Sequence, residues 1–405
     1  MRYHVVVIGG GPIGSVAARC AAEEGARVLL VERSLRPICP PRCAGLVSPA
    51  TLPMLGASHR SVLRPIRAVR FHTPTGRTLS LRANALKAVV LDRVSLEREL
   101  HERAADAGVD VRRGVEAALC TTHRVVLETR FGSETVESAV IIGADGPESR
   151  VAQAAGLASA RGGLWGVQAT LEGEAPEPDG VDVYFGQQTA PGFFAWCIPA
   201  SPGRLRVGLA VAPGVDPALY LDRFLTRSFA GHRVLSRVAG RIPTTPPSRS
   251  VIDSVLLVGD AAGQVKPLSG GGLYTGAICA RIAGRTAARA ALSADGVRSL
   301  LASYETEWRR AIGREIAFGN SARALLGTIP DCDLDSMFAA VEDPDLLSFL
   351  AERADIDHLH RLVGELARAP SLWARCSRLL RCLSPQDAGQ PVASSTIAPP
   401  FPGPL

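Results

Sequence analysis

The chain starts with a strand, a helix and a second strand in quick succession, and this order constrains its fold more than any other feature. Residues 3–8 (YHVVVI) form a short apolar run that leads directly into a glycine-rich turn. Residues 15–24 have the alanine pattern of a packed helix, and residues 27–31 (RVLLV) predict a buried strand that ends at Glu32. Such an opening is typical of a doubly wound parallel sheet.

The turn after the first strand has the glycine spacing of a dinucleotide-binding loop. Gly9 permits a tight turn, Gly11 lets a pyrophosphate approach the backbone, and Gly14 lets the helix pack closely on the strand. The helix N-terminus favours negative charge, and Glu32 is placed to accept hydrogen bonds from a ribose diol. We therefore expect Gly9, Gly11, Ile13, Gly14 and Glu32 to bind a dinucleotide, the alternative being a purely structural turn.

Two later turns each carry a carboxylate at the end of a predicted strand. Residues 141–146 (IIGADG) place Asp145 in the first turn, and residues 258–263 (VGDAAG) place Asp260 in the second. Asp260 is positioned to hold a ribityl hydroxyl. We expect the amides of residues 269–273 (SGGGL), at the start of the next helix, to face the O2 edge of a flavin and stabilise charge on its reduced ring.

The whole chain predicts an α/β fold, α+β overall, with a doubly wound Rossmann-type body, an inserted antiparallel β-sheet domain and a helical C-terminal region. The inserted part is recognised by strand-like alternation between about residues 162 and 240. The predicted domains are the dinucleotide-binding body (1–65, 88–160 and 241–295), the substrate-binding sheet (66–87 and 161–240), the helical region (296–383) and a proline-rich disordered tail (384–405).

The three turns, in this order and at these distances, resemble the flavoprotein family of the aromatic hydroxylases, whose cofactor is FAD. The resemblance covers most of residues 3–290 and implies that Asp260 contacts the ribityl chain of FAD. It also implies that Arg93, at the start of the helix after the first hairpin, contacts the cofactor phosphates. The alternative for Arg93 is an exposed charge at a helix start. Asp145 and Arg150 are expected to brace the fold around the cofactor.

Three segments depart from the hydroxylases and resemble the geranylgeranyl reductase family, particularly the archaeal digeranylgeranylglycerophospholipid reductases. They are residues 259–272 (GDAAGQVKPLSGGG), residues 42–48 (RCAGLVS), which are similar to that family's cysteine-glycine active-site loop, and residues 194–199 (FAWCIP), which are similar to its aromatic-x-Trp-x-Phe-Pro motif. Phe194 replaces the family's usual tyrosine and Ile198 its phenylalanine, so that the segment keeps an apolar character.

The resemblance implies a reductase of isoprenoid double bonds, acting on geranylgeranyl chains of a membrane-lipid precursor or a related prenyl compound. An isoprenoid has no polar group near its reacting bond, so alignment must come from shape and apolar contact. We expect Phe193, Phe194 and Trp196 to line such a tunnel, the alternative being an ordinary sheet core. Less certain members of this wall are Trp165, Tyr184 and Phe185.

Cys43 is the candidate catalytic residue, because its loop is expected to lie near the isoalloxazine ring. There a thiol steers or donates a proton. The alternatives are a small buried residue that contacts the flavin through its backbone, and a redox pair with Cys39. The same reasoning predicts backbone contacts with the cofactor from Ala44, Gly45, Gly272 and Leu273, and a backbone contact with the adenine from Ala117.

The composition narrows the possible partners. The net charge is +6, yet Lys87 and Lys266 are the only lysines. Lys266 is expected either to attract a phosphate headgroup or to lie in solvent. We predict no metal, because no cysteine spacing makes a zinc site, and no nucleic-acid partner. The nine cysteines predict free thiols, and the lack of a signal-like or membrane-spanning apolar run predicts a cytoplasmic protein.

Residues 371–383 predict a basic amphipathic helix, with Trp373 and several leucines on one face. A helix of this kind lies on an anionic membrane or docks on the rest of the protein. The first possibility would place the protein peripherally at the inner face of the membrane.

Two other functions remain open at this stage, besides FAD-dependent reduction with electrons from NAD(P)H or a ferredoxin-like protein. The first is an oxygen-using flavoenzyme, a monooxygenase or a halogenase. Flavin-dependent halogenases carry a Trp-x-Trp-x-Ile-Pro motif that is similar to residues 194–199. The second is a non-catalytic protein that binds flavin or lipid.

Overall fold

The computed structural model describes residues 1–37, 39, 41–121, 123–158, 163–293 and 297–370. In chain order the strands are β1 (Arg2–Ile8), β2 (Val28–Glu32), β3 (Leu46–Val47), β4 (Val62–Ile66), β5 (Ala68–His72), β6 (Thr78–Arg82), β7 (Ala88–Leu91), β8 (Asp110–Arg113), β9 (Glu116–Cys120), β10 (Arg124–Thr129), β11 (Gly132–Gly143), β12 (Leu164–Glu172), β13 (Gly180–Tyr184), β14 (Ala195–Pro199), β15 (Arg204–Val211), β16 (Val234–Ile242), β17 (Val251–Ile252) and β18 (Val255–Leu257).

Helices cover the parallel sheet and make up most of the C-terminal part. They are α1 (Pro12–Glu23), α2 (Thr51–Leu55), α3 (Arg93–Asp106), α4 (Arg150–Ala154), α5 (Pro217–Ser228), α6 (Leu273–Leu292), α7 (Val297–Thr328), α8 (Asp331–Val341), α9 (Pro344–Arg353) and α10 (Leu359–Ala367).

The first sheet has the strand order β17-β18-β11-β1-β2-β8, and β18, β11, β1, β2 and β8 run parallel to one another. β17 pairs antiparallel with β18, and β10 pairs antiparallel with β11. Val7 of β1 lies opposite both Ile142 and Leu30. Alternate residues of β1 enter two separate apolar clusters, one on each face of the sheet. The predicted doubly wound α/β body is therefore confirmed, since a parallel sheet needs cover on both faces.

The second sheet has the order β16-β12-β15-β14-β13-β5-β6. Its pairs are antiparallel, as predicted for an inserted sheet, except that β5 and β13 run parallel. These two strands are far apart in the chain, so no tight hairpin forces them to be antiparallel. The division into domains by residue number stays a prediction.

A short three-stranded sheet, β3-β7-β4, comes from the stretch of chain that also supplies β5 and β6 of the second sheet. Residues 42–48, predicted to form an active-site loop, run into its strand β3. The same sheet leads through β7 into α3, which begins at Arg93. It therefore connects the predicted loop to the helix that carries the predicted phosphate-binding arginine.

Helices α1 and α6 pack directly against each other at a glycine. A Cβ atom at Gly284 would lie 2.3 Å from the carbonyl oxygen of Ala17 and 2.9 Å from the Cβ of Cys20. Alanines of both helices are fully buried around this contact. The absence of a side chain at position 284 therefore sets the distance between the two helices.

Helices α6 to α10 make up the C-terminal region, which the structure describes up to residue 370. This agrees with the predicted helical region. The proposed amphipathic helix at residues 371–383 and the proline-rich tail at 384–405 lie outside the described residues. None of the helices in the described ranges is both long enough and apolar enough to cross a membrane.

We expect Gly284→Ala to destabilise the protein by about 1–3 kcal/mol, because the added methyl group forces α1 and α6 apart. Thermal unfolding with circular dichroism measures this change. Gly313→Ala on α7 is the matched control, since a Cβ there would meet only the Cβ of Arg309, at 3.9 Å. That substitution should stabilise its helix by about 0.5–1 kcal/mol. Equal effects of the two substitutions would contradict the close contact.

Candidate active site

A cavity of about 1250 Å³ lies between the parallel sheet and the seven-stranded sheet. It exceeds the roughly 300–1,000 Å³ of an ordinary small-molecule pocket, so it has room for a dinucleotide and a further ligand. The predicted site residues line it, with the exception of Gly14, which is buried behind the turn. The lining members are Gly9, Gly11, Ile13, Glu32, Cys43, Ala44, Gly45, Arg93, Ala117, Phe193, Phe194, Trp196, Asp260, Lys266, Gly272 and Leu273.

The glycines of the first turn are required for different reasons. Gly9 has a φ of +102°, and a Cβ at Gly14 would lie 1.9 Å from the carbonyl oxygen of Gly9. The protein itself therefore requires these two glycines. A Cβ at Gly11 would meet nothing within 4 Å, and this residue faces the cavity. The open space at Gly11 fits a ligand that approaches the backbone.

The N-terminus of α1 begins at this glycine turn and carries no acidic side chain. Its N-cap is Gly11, no side chain caps it, and its first turn contains no acidic residue. The unpaired amides and the helix dipole favour an anion here. The turn therefore fits the pyrophosphate of FAD.

Glu32 is held rigidly at the end of β2. Its Oε2 accepts a hydrogen bond from the amide of Gly10 at 2.8 Å, and its Oε1 accepts one from the amide of Ser34 at 2.8 Å. Each carboxylate oxygen has a second lone pair. The carboxylate is therefore oriented to accept hydrogen bonds from ribose hydroxyls in the cavity.

Asp260 faces the cavity and makes no side-chain hydrogen bond with any described residue. Burial raises the pKa of its carboxyl to about 6, and the positive charge of Arg93 opposes this shift. A Cβ at Gly272 would lie 3.0 Å from Asp260 Oδ1, so only glycine fits easily beside the carboxylate. An unsatisfied carboxylate of this kind fits a hydroxyl donor such as the ribityl chain.

Arg93 occupies the first position of α3 and is buried, with 9% of its surface exposed. The alternative of an exposed helix-start charge is therefore wrong. Its Nη2 donates to Glu97 at 2.8 Å, while its Nε is buried without a hydrogen-bond partner among the described residues. Arg93 also interacts electrostatically with Cys43 and Asp260. Its contact with the cofactor phosphates stays a prediction.

Cys43 lies at the start of a tight turn on the cavity wall. The amide of Gly45 donates to Cys43 Sγ at 3.3 Å, and Gly45 has a φ of +76°. Side chains are strained at such a φ, so glycine suits this position. The turn thus directs the thiol and the neighbouring backbone towards the cavity, next to Arg93.

The aromatic residues form a continuous wall beyond this turn. Phe193 and Phe194 stack with ring centroids 4.1 Å apart, and Trp196 meets Phe194 edge to face at 6.2 Å. Trp196 Nε1 donates to Gln168 Oε1 at 3.2 Å, which fixes the ring. A Cβ at Gly208 would lie 2.7 Å from the Trp196 ring, so the indole packs directly on the backbone of β15.

The three less certain wall residues have different positions. Trp165 and Phe185 line the cavity. Tyr184 does not belong to the wall, because its ring packs against Phe224 and His72. Tyr184 contacts the apolar cluster between the sheet and α5, on the side away from Trp196. Its assignment to the wall is therefore corrected.

Lys266 is neither in solvent nor free to meet a headgroup. Only 6% of its surface is exposed, and its Nζ pairs with Asp357 at 2.6 Å and donates to the carbonyl of Ile356 at 2.7 Å. The loop between α9 and α10 supplies both acceptors. The predicted solvent position is therefore wrong, and the charge of Lys266 is already balanced within the protein.

Sequence reasoning missed Arg206, which comes from β15 and lies under the Cys43 turn. Its Nη1 donates to the carbonyls of Ala44 and Leu91, at 2.8 and 3.0 Å. Only its place in the alternating pattern of β15 is visible in the sequence, and that pattern does not indicate which loop it contacts.

The fold and the cavity together define an FAD-dependent oxidoreductase. A family model described as "FAD binding domain" matches residues 2–216. The digeranylgeranylglycerophospholipid reductase 2 of Methanothermobacter thermautotrophicus is 35% identical over 363 residues, which cover 86% of this chain and 94% of the relative. The chain belongs to the digeranylgeranylglycerophospholipid reductase family, and the predicted resemblance is confirmed.

Solved structures show the same fold. A geranylgeranyl bacteriochlorophyll reductase-like protein from Thermoplasma acidophilum has a TM-score of 0.80 at 24% identity, over 93% of this chain and 99% of its own. The p-nitrophenol 4-monooxygenase of Pseudomonas putida has a TM-score of 0.70 at 16% identity, over 86% and 97%. At these identities the likeness concerns the fold alone.

We expect Asp260→Asn to weaken FAD binding and to stabilise the FAD-free protein by about 1–3 kcal/mol at pH 7, because it removes a partly buried charge that has no partner among the described residues. A carboxyl with a raised pKa destabilises the folded state fully above that pKa. The gain should therefore disappear as the pH falls from about 6 towards the unfolded value near 4. Thermal unfolding at several pH values and FAD titration test this expectation. A gain that is independent of pH would contradict it.

Proposed function

We propose that the protein uses FAD to saturate the geranylgeranyl double bonds of a membrane-lipid precursor or a related prenyl compound. The observation that carries this proposal is the aromatic wall of Phe193, Phe194 and Trp196 in the same cavity as the dinucleotide turn. The name of the Methanothermobacter relative supports the same substrate class.

The apolar wall suits a substrate that offers no polar group at its reacting bond. Saturating an isolated alkene requires a hydride on one carbon and a proton on the other. Reduced FAD supplies the hydride. The protein must then bind the cofactor, orient the chain by apolar contact, and deliver a proton.

We assign these tasks to the residues that line the cavity. Cys43 is proposed as the proton donor, because its turn lies where the glycine-rich part of the cavity meets the apolar part. Cofactor binding is proposed for Gly9, Gly11, Ile13, Gly14, Glu32, Cys43, Ala44, Gly45, Arg93, Ala117, Asp260, Gly272 and Leu273. Substrate contact is proposed for Phe193, Phe194 and Trp196, with Lys266 holding the α9–α10 loop beside them.

Two further parts of the proposal concern the partners. Electrons are proposed to come from NAD(P)H or a ferredoxin-like protein, and the lipid substrate implies work at a membrane surface. The predicted membrane contact through residues 371–383 lies outside the described residues.

The wild-type protein, reduced with dithionite under anaerobic conditions, should be reoxidised by a geranylgeranylated glycerophospholipid. Flavin absorbance and product mass, followed together, should show a gain of two hydrogen atoms for each bond reduced. The fully saturated lipid is the matched control, since it has no double bond to accept a hydride.

Other outcomes of this experiment identify the alternative functions. A flavin that stays reduced until oxygen is admitted would favour the monooxygenase or halogenase. A flavin that no prenyl compound or oxygen-dependent reaction turns over would favour a non-catalytic binding protein.

We expect Trp196→Ala to lower kcat/KM for the prenyl substrate roughly 30- to 150-fold, because about 2–3 kcal/mol of apolar contact is lost. FAD content should not change. The control is Cys197→Ala on the same strand, because Cys197 belongs to the apolar cluster on the opposite face of the sheet. Steady-state kinetics compares the two variants, and equal losses would contradict a wall role for Trp196.

A further inference from the structure

Arg206 is a buried cation without a carboxylate partner. Only 8% of its surface is exposed, and its Nη1 donates to the carbonyls of Ala44 and Leu91. No carboxylate of the described residues lies within ion-pair distance of its guanidinium. Ala44 lines the cavity, and Arg206 lies behind it. Burying a charge without a counter-ion is costly, so an unpaired guanidinium behind this wall indicates that negative charge forms nearby.

The thiol of Cys43, two residues before Gly45, is a group close to Arg206 that can become negative. Arg206 interacts electrostatically with Cys43, and a Cβ at Gly45 would lie 2.5 Å from Arg206 Nη1. Arg93 interacts with the same thiol from the start of α3. The amide of Gly45 also donates to Cys43 Sγ, at 3.3 Å. The sulfur therefore accepts one amide hydrogen bond and interacts electrostatically with two guanidinium groups.

The other charged groups that face this cluster are already engaged or lie further along the cavity. Asp92 accepts hydrogen bonds from the amides of Val94 and Ser95 and so caps α3. Glu97 pairs with Arg93 at 2.8 Å, which balances that guanidinium. Asp260 interacts with Arg93 from across the cavity. Asp92 also interacts electrostatically with Arg206, but no carboxylate of the described residues forms an ion pair with it.

Burial lowers the pKa of the Arg206 guanidinium, while the negative forms of Cys43 and Asp92 act in the opposite direction. Arginine keeps its proton in proteins even when it is buried. The positive charge beside Cys43 is thus permanent and does not depend on the pH of the assay.

We propose that Arg206 is a positioning residue that fixes the Cys43 turn and stabilises the thiolate that Cys43 becomes when it gives its proton to the substrate. This inference rests on the proposed function. In that step the S–H bond breaks and a C–H bond forms at one alkene carbon, while the other carbon takes the hydride supplied by reduced FAD. The thiolate then recovers its proton from water.

The test is the rate at which iodoacetamide alkylates Cys43 in the FAD-loaded protein at pH 7. Only the thiolate reacts, and an opposite charge close to a thiol favours its ionised form. Because Arg93 stays beside the thiol in each variant, we expect Arg206→Gln to lower the rate severalfold and Arg206→Lys, which keeps the charge, to restore most of it. Trypsin cleaves after Arg42, so the Cys43 and Cys39 peptides are separated for mass spectrometry.

The matched control is Arg64→Gln. Arg64 Nε also donates to a backbone carbonyl, that of Ala200, at 3.0 Å. Its loss removes a comparable backbone contact, together with an ion pair to Glu174 at 3.8 Å, and should leave the alkylation rate of Cys43 unchanged. FAD absorbance confirms that each variant is folded. Should the reagent not reach Cys43, the thiolate absorbance of wild type minus Cys43→Ala reports the same ionised fraction.

Three results would overturn the inference. They are an unchanged rate in Arg206→Gln, equal losses in Arg206→Gln and Arg206→Lys, and an equal loss in Arg64→Gln. None of these readouts depends on turnover of a lipid. A protein that fails to reduce any prenyl lipid yet shows the expected alkylation pattern would therefore sink the proposed function and leave the Arg206–Cys43 interaction standing.

Discussion

The side chain of Ile13 holds together the two glycine turns on which the cavity depends. A Cβ at Gly259 would lie 2.9 Å from Ile13, and one at Gly276 would lie 2.8 Å from it. This contact brings the start of α1 beside the turn that leads into α6. Both helices begin at the cavity without an acidic residue in the first turn. Both helix starts line the same cavity, so their dipoles suit a pyrophosphate and the negative charge of a reduced flavin.

The cavity divides into two chemical environments because two different sheets supply its walls. The parallel sheet and its helices contribute glycines and several carboxylates, among them Glu32 and Asp260. The seven-stranded sheet contributes aromatic side chains, of which Trp196 is fixed by Gln168. The Cys43 turn lies at the boundary, and Arg206 ties it to the seven-stranded sheet. The cavity thus has one region that suits a redox cofactor and another that suits an apolar chain.

The parts of the site that were predictable from sequence are those whose chemistry lies within one short segment. Glu32, Asp260 and the glycines follow from local spacing because strand, turn and helix are contiguous there. Arg206 was not predictable, since its partners Ala44 and Leu91 come from elements far away in the chain. The burial of Lys266 was hidden for the same reason, because Asp357 comes from the loop between α9 and α10.

The position of Tyr184 shows a different limit of sequence reasoning. Consecutive side chains of an extended segment point to opposite sides, so Tyr184 and Phe185 could not both line the cavity. The sequence did not show which of the two does. The parallel pairing of β5 with β13 was also hidden, because no local pattern distinguishes it from an antiparallel pair. The overall α/β class, by contrast, followed from the order of elements alone.

The two lysines have a consequence for surface chemistry. Lys87 Nζ donates to the carbonyls of Glu352 and Ala354, and Lys266 Nζ donates to that of Ile356. Both primary amines of the side chains therefore hold one short stretch of backbone against the body of the protein. The remaining basic side chains are guanidinium or imidazole groups. Apart from the N-terminus, an amine-directed label or cross-linker would therefore react only with these two lysines. Its reaction rate would measure how tightly this stretch of backbone is held.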